Sequence, residues 1–68
     1  MGREQRIVEF EDVEVIAETE KAILCDINGE EYWVPRSQLD EQTNEVYDPE
    51  DYGALVVTHW WAEKEGLV

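Results

Sequence analysis

Positive charge is scarce in this chain. Five Lys and Arg stand against eighteen Asp and Glu in 68 residues, a formal net charge of −13. Direct binding of a nucleic-acid backbone needs clustered Lys and Arg and is not expected. A basic helix lying on a membrane surface is excluded on the same count. Cysteine is almost absent. The single Cys25 cannot form an intramolecular disulfide, which argues against a stapled secreted fold and for a reducing interior. It sits in the apolar run Ala22-Ile23-Leu24-Cys25 and reads as a buried small hydrophobe rather than a reactive thiol. No stretch approaches the ~18 consecutive apolar residues of a membrane-spanning helix. The segment Met1 to Arg6 carries two arginines with no apolar region behind them, unlike a signal peptide. Arg6 also stands where myristoylation needs Ser or Thr. A cytoplasmic protein is expected.

What remains is an acidic domain with aromatic anchors. Apolar residues make up 43% of the chain and include three Trp, three Tyr and one Phe, too many for a disordered acidic tail. The length allows one domain, residues 1–68, near the lower limit for independent folding.

Val8 and Phe10 alternate with Glu9 and Glu11, and Val13 and Val15 alternate with Glu14. The apolar parity changes between Phe10 and Val13, so a regular strand would turn its second half inside out. A bulge near Glu11-Asp12 repairs the register and bends the sheet. The run Ala22 to Ile27 reads as a strand covered on both sides, or as one whose outer face meets another chain. Asn28-Gly29 then predicts a two-residue type I′ hairpin into Glu30 to Pro35. Pro35 ends the ladder or marks an edge.

Ser37-Gln38-Leu39-Asp40 resembles a helix cap with an acid three residues on, leaving room for one turn. Residues 40–52 read as an acidic surface loop with Val46 and Tyr47 as anchors and a short strand near Val46. Gly53 opens the last strand, Ala54 to Val57. Thr58 caps a helix over about 59–65, with Gly66 just beyond its end. Trp60, Lys64 and Leu67 share one helical stripe. The fold class is mainly β with one short C-terminal helix. A small curved antiparallel sheet, or an SH3-like or OB-like barrel of four to five strands, accommodates it. An open four-stranded sheet with the helix across one face is the second arrangement.

A chain this small balances burial at ~25 cal/mol/Å² against ~1.5 kcal/mol of entropy per ordered residue, close to zero net. Unbalanced carboxylates add self-repulsion. The apolar excess in Ala22 to Ile27 and in Trp60-Trp61 therefore suggests a homo-oligomer.

Catalysis finds little support, and the chain is read as no enzyme. One His and one Cys do not pair a nucleophile with a base. Asp48, Glu50 and Gly53 match the opening of a calcium loop, but Tyr52 and His59 fall where oxygen ligands are needed. The four glycines are scattered and form no phosphate-binding loop. Neither a metal nor a cofactor is expected.

Charge is the most informative feature. No Lys or Arg occurs between Ser37 and Glu63. A globule of this length is roughly 28 Å across, and duplex DNA of that length carries about 16 phosphate charges. The net charge of −13 is comparable, and it exceeds the ~2–8 that solubility asks of a small domain. Asp40, Glu41, Glu45, Asp48, Glu50 and Asp51 would steer a basic partner, with Tyr47 and Tyr52 as contact anchors. The alternative is a small-ligand or nucleotide-binding protein with an interfacial pocket at Trp33 and Arg36. A structural oligomerisation module is a third reading.

The stretches Trp33-Val34-Pro35-Arg36-Ser37-Gln38 and Trp61-Ala62-Glu63-Lys64-Glu65-Gly66-Leu67 resemble small uncharacterised acidic proteins of bacteriophages and other mobile elements. The shared patterns are W-[IV]-P-[KR]-S-Q and W-A-E-K-x-G-L. The resemblance implies a phage-type setting, in which small acidic proteins inhibit host defences. The expected function is a non-enzymatic inhibitor of a basic host protein, one that itself binds nucleic acid, acting through a nucleic-acid-mimicking surface.

Overall fold

Alternating apolar and acidic residues form β1 (Ile7–Glu18) in a computed structural model that describes residues 6–68. The parity change within it is absorbed by a bulge. Phe10 lies opposite Leu55 and Val13 opposite Gly53, so β1 carries one extra residue. Asp12 takes φ 59, a left-handed conformation that a short polar side chain tolerates better than most. Val13 and Val15 thereby join Val8 and Phe10 against the core. A second bulge, between Val15 and Ala17, falls on the opposite side of β1, toward the strand that follows.

That strand is β2 (Ala22–Ile27), which returns through Asn28-Gly29 to β3 (Glu30–Pro35). Asn28 and Gly29 have φ 55 and 87, as a type I′ turn requires, and Asp26 Oδ1 accepts the Gly29 N–H at 2.9 Å. The run Ala22 to Ile27 is not covered on both sides. Ile23, Cys25 and Ile27 are buried while Ala22, Leu24 and Asp26 are half-buried on the outer face. The apolar run conceals an ordinary period of two because its outward residues Ala22 and Leu24 are also apolar.

A 3-10 turn, Arg36–Gln38, follows directly. Its cap is Pro35 with no side-chain bond, so Ser37 does not cap it. A separate turn at 41–43 is the one capped, by Asp40, whose Oδ2 accepts the Thr43 N–H at 3.1 Å. No strand forms at Val46, which is nevertheless fully buried. β4 (Tyr52–Thr58) then pairs with β1, giving one open antiparallel sheet in the order β3-β2-β1-β4. The curved four-stranded sheet is present, but no ladder joins β3 to β4 among the described residues to close a barrel.

The helix α1 (His59–Lys64) lies across the concave face. Thr58 caps it by accepting the Trp61 N–H at 3.2 Å. At its end the Gly66 N–H donates to Glu63 O and the Leu67 N–H to Ala62 O, a Schellman ending with Gly66 at φ 77. Trp61 and Ala62 are buried, and Trp61 meets Tyr32 of β3 edge-on with ring centres 6.4 Å apart. The stripe of Trp60, Lys64 and Leu67 does not face one way. Trp60 is exposed under the Lys64 ammonium, whereas Leu67 folds back onto the core after the helix has ended. Among the described residues no helix is long and apolar enough to cross a membrane.

Candidate protein-binding surface

The acidic segment after the 3-10 turn is a built structure. On its outer edge β4 presents the N–H and C=O groups of Ala54 and Val56. All four are bound by the segment. Asp40 N–H donates to Val56 O at 2.9 Å and Glu45 N–H to Ala54 O at 3.0 Å. Val56 N–H donates to Asn44 Oδ1 at 2.8 Å and Ala54 N–H to Glu45 Oε1 at 3.1 Å. Asn44 is buried and also donates to Val46 O at 2.6 Å. Beyond this, Glu50 N–H donates to Val15 O and Val15 N–H to Asp51 O, which prolongs the β1–β4 ladder into the loop.

These contacts divide the expected site residues into two groups. Asp40, Glu45 and Asp51 hold the segment together. Asp51 Oδ2 accepts the Asp48 N–H at 2.9 Å and the Tyr47 N–H at 3.0 Å. Those two donors hold its carboxyl below the usual 3.8. Tyr47 is half-buried against the core. Glu41, Asp48 and Glu50 are exposed, and so is Tyr52. The expected anchor pair is thus reduced to Tyr52, whose hydroxyl is pushed above its usual 10.0 chiefly by the charge of Asp12.

A second set of acids becomes visible only through strand pairing. Glu14 lies opposite Asp26, and Asp26 lies opposite Glu31. Directly paired residues share a face, so three carboxylates stand side by side across β1, β2 and β3, on the face away from the core. Tyr52 continues the line on β4, opposite Glu14. Neighbouring strands lie ~4.8 Å apart. Among the described residues none of the three carboxylates makes an ion pair. Arg36 is bound to Glu18 at 2.8 Å, and Lys64 sits 5.4 Å above the Trp60 ring. Strand spacing within the sequence carries no sign of the row, because it depends on register between strands.

The alternative pocket fares differently. The Arg36 guanidinium donates to Glu18 Oε1, to Thr19 O at 3.1 Å and to Tyr47 O at 3.4 Å. It clasps the β1–β2 turn to the acidic segment. Trp33 is half-exposed on the outer face of β3. A shallow depression of about 430 Å³ lies elsewhere, against Ile7, Ser37, Leu39, Asp40, Glu41 and Thr58. Cys25 is fully buried in the core, and burial pushes its thiol up from 9.0 to about 12. It is therefore no nucleophile near neutral pH. His59 Nδ1 lies 3.8 Å from Glu63 Oε1 on the helix surface. No family model, curated protein or solved structure matches the chain.

Proposed function

We propose that the chain is a non-enzymatic acidic binding protein that occupies the basic surface of a nucleic-acid-binding host protein, as a phage-type inhibitor would. The observation that carries this reading is the row Glu14, Asp26 and Glu31. Like charges directly opposite in a sheet destabilise it, by about 0.2–1 kcal/mol per pair. A protein that needs acids only for solubility can scatter them at no such cost. Holding them in register suits a partner that supplies the missing positive charge.

The scale of the charge agrees. The molecule is 37 Å in its longest dimension, and duplex DNA of that length carries about 22 phosphate charges at one per ~1.7 Å. The net charge of −13 gives roughly half to two-thirds of that density. The exposed Glu41, Asp48 and Glu50 add to the field, and exposed Tyr52 offers an aromatic contact beside the row. A target of this kind places the protein in the cytoplasm.

The test is capture from a bacterial lysate on the immobilised protein. Basic nucleic-acid-binding proteins should be retained at low salt and released by added duplex DNA. The variant Glu14→Gln/Glu31→Gln/Glu41→Gln/Asp48→Asn/Glu50→Gln spares the structural carboxylates Asp26, Asp40, Glu45 and Asp51, and should lose most of the retention. Partners that resist both DNA and the variant would overturn the reading. A nucleotide co-purifying with the protein would point instead to the small-ligand function.

A further inference from the structure

We propose that the free edge of β3 is a self-association surface, on which a second copy of this chain adds its own β3 in antiparallel fashion. The pairing of β3 with β2 determines which of its backbone groups face outward. Arg36 N–H donates to Lys21 O at 2.8 Å, and these two residues continue the β2–β3 register of Ala22 opposite Pro35. Hydrogen-bonded pairs alternate with non-bonded ones in an antiparallel ladder. Glu30, Tyr32 and Val34 therefore bond to β2, and Glu31, Trp33 and Pro35 direct their backbone polar groups away from it. Proline lacks an N–H, so Pro35 stands where the ladder needs no donor. Glu31 and Trp33 backbone groups have no partner among the described residues. Trp33 is 50% exposed on this edge. Beside it on the outer face lies half-buried Leu24, its direct neighbour in the ladder, and then Ala17 opposite Leu24.

Edge strands are ordinarily guarded by charged side chains, Pro, bulges or a covering segment. β3 has glutamates at one end and Pro35 at the other, but nothing described covers it at Trp33, whereas on the other edge Ala54 and Val56 are both bound. The sequence of β3 also selects the occupant. A two-fold register centred on Trp33 sets each Trp33 N–H against the partner's Trp33 C=O, and each Glu31 N–H against the partner's Pro35 C=O. The missing N–H of Pro35 leaves only the Glu31 C=O without a ladder donor, at the end of the pairing. The same register places indole beside indole, a favourable cross-strand pair, and keeps the two Glu31 carboxylates apart. Centring on Glu31 would oppose two carboxylates. Centring on Tyr32 would set Glu31 against an indole and separate the two tryptophans. Side-chain pairing thus favours one arrangement, an isologous dimer with a continuous sheet.

This pairing brings two chains of net charge −13 together, so it has a diagnostic salt response. Between about 0.1 M and 1 M salt the screening length falls from ~10 Å to ~3 Å. The dimer should tighten on the order of tenfold, opposite to a complex with a basic partner. Sedimentation equilibrium should give twice the 8.0 kDa chain mass at high protein and high salt. Amide exchange at Glu31 and Trp33 should slow as protein concentration rises, with no change at Ala54 or Val56. Trp33→Lys should be monomeric and folded, with Trp60→Lys remaining dimeric as a control. Glu31→Pro removes an outward N–H while leaving the β2–β3 ladder bonds in place, and should weaken the dimer without loss of the monomer fold. A wild-type monomer under all conditions, or a dimer that survives Trp33→Lys, overturns the proposal.

Discussion

The two edges of this sheet are treated in opposite ways. On β4 the polar groups of Ala54 and Val56 are matched by Asp40, Asn44 and Glu45. On β3 the corresponding groups of Glu31 and Trp33 meet nothing described. The chain length devoted to the covered edge is long and acidic, and half of its carboxylates act as clamps. An acidic loop is thus a device for closing an edge as well as a store of charge. The difference also shows why a small open sheet can persist: α1, which follows β4, lays Trp61 against Tyr32 of β3, so the covered edge supports the bare one across the concave face.

The comparison can be broken most severely at that tie. Trp61→Ala removes a side chain that is 2% exposed, at a cost of about 3–5 kcal/mol. That rivals the total stability of a domain this small. Equilibrium denaturation should show a chain largely unfolded or lacking a cooperative transition, and a near-normal midpoint would refute the tie.

Asn44→Ala strips the covered edge. It leaves Val56 N–H and Val46 C=O without their bonds. Two buried groups at ~1–3 kcal/mol each put the loss at about 3 kcal/mol, or on the order of 15 °C in Tm. Hydrogen exchange at Val56 should rise to match that at Trp33, making the two edges alike.

Asp51→Asn is milder and depends on pH. The folded carboxyl is held below its usual value by the Asp48 and Tyr47 N–H groups. Its stabilisation is therefore complete above the unfolded pKa and is lost as pH falls through the lower folded one. The variant should be less stable than wild type at neutral pH and equal to it in strong acid. A constant difference across that range would show that the bonds do not act through the charge.

Glu14→Gln/Glu31→Gln should give the smallest effect and of opposite sign. Relief of the paired carboxylates should stabilise by about 0.5 kcal/mol at low salt, shrinking toward nothing as salt screens the row. Asp26 is left in place because it holds the Gly29 N–H. A destabilised variant would mean that the row has local compensation.

Legibility in the sequence followed the range of the interactions. Asn28-Gly29, Thr58 and Gly66 state their roles locally, because each supplies a conformation or a capping oxygen within a few residues. The bulge at Asp12 was visible because Phe10 and Val13 change parity. The bulge between Val15 and Ala17 was not, because both residues are apolar and odd-numbered and the break falls silently between them. Trp60 and Trp61 could not be told apart until the direction of α1 over the sheet was known. The acidic segment displayed its charge but not its hydrogen bonds to β4, which join residues as far apart as Asp40 and Val56. The carboxylate row needed the register of three strands at once.

One consequence of the β1–β4 ladder is mechanical. Ile7 lies opposite Thr58, and His59 N–H donates to Arg6 O at 2.9 Å. The entrance to β1 and the exit from β4 therefore sit side by side at one end of an antiparallel pair. Tension applied between these points loads the hydrogen bonds one after another, as in unzipping, and never the whole ladder in shear. Resistance should be low, and the strand that peels away is the one flanked by both β2 and β4. An unfolding machine gripping the chain near Arg6 would extract the centre of the sheet first, leaving a lone hairpin and a lone strand with no neighbour between them.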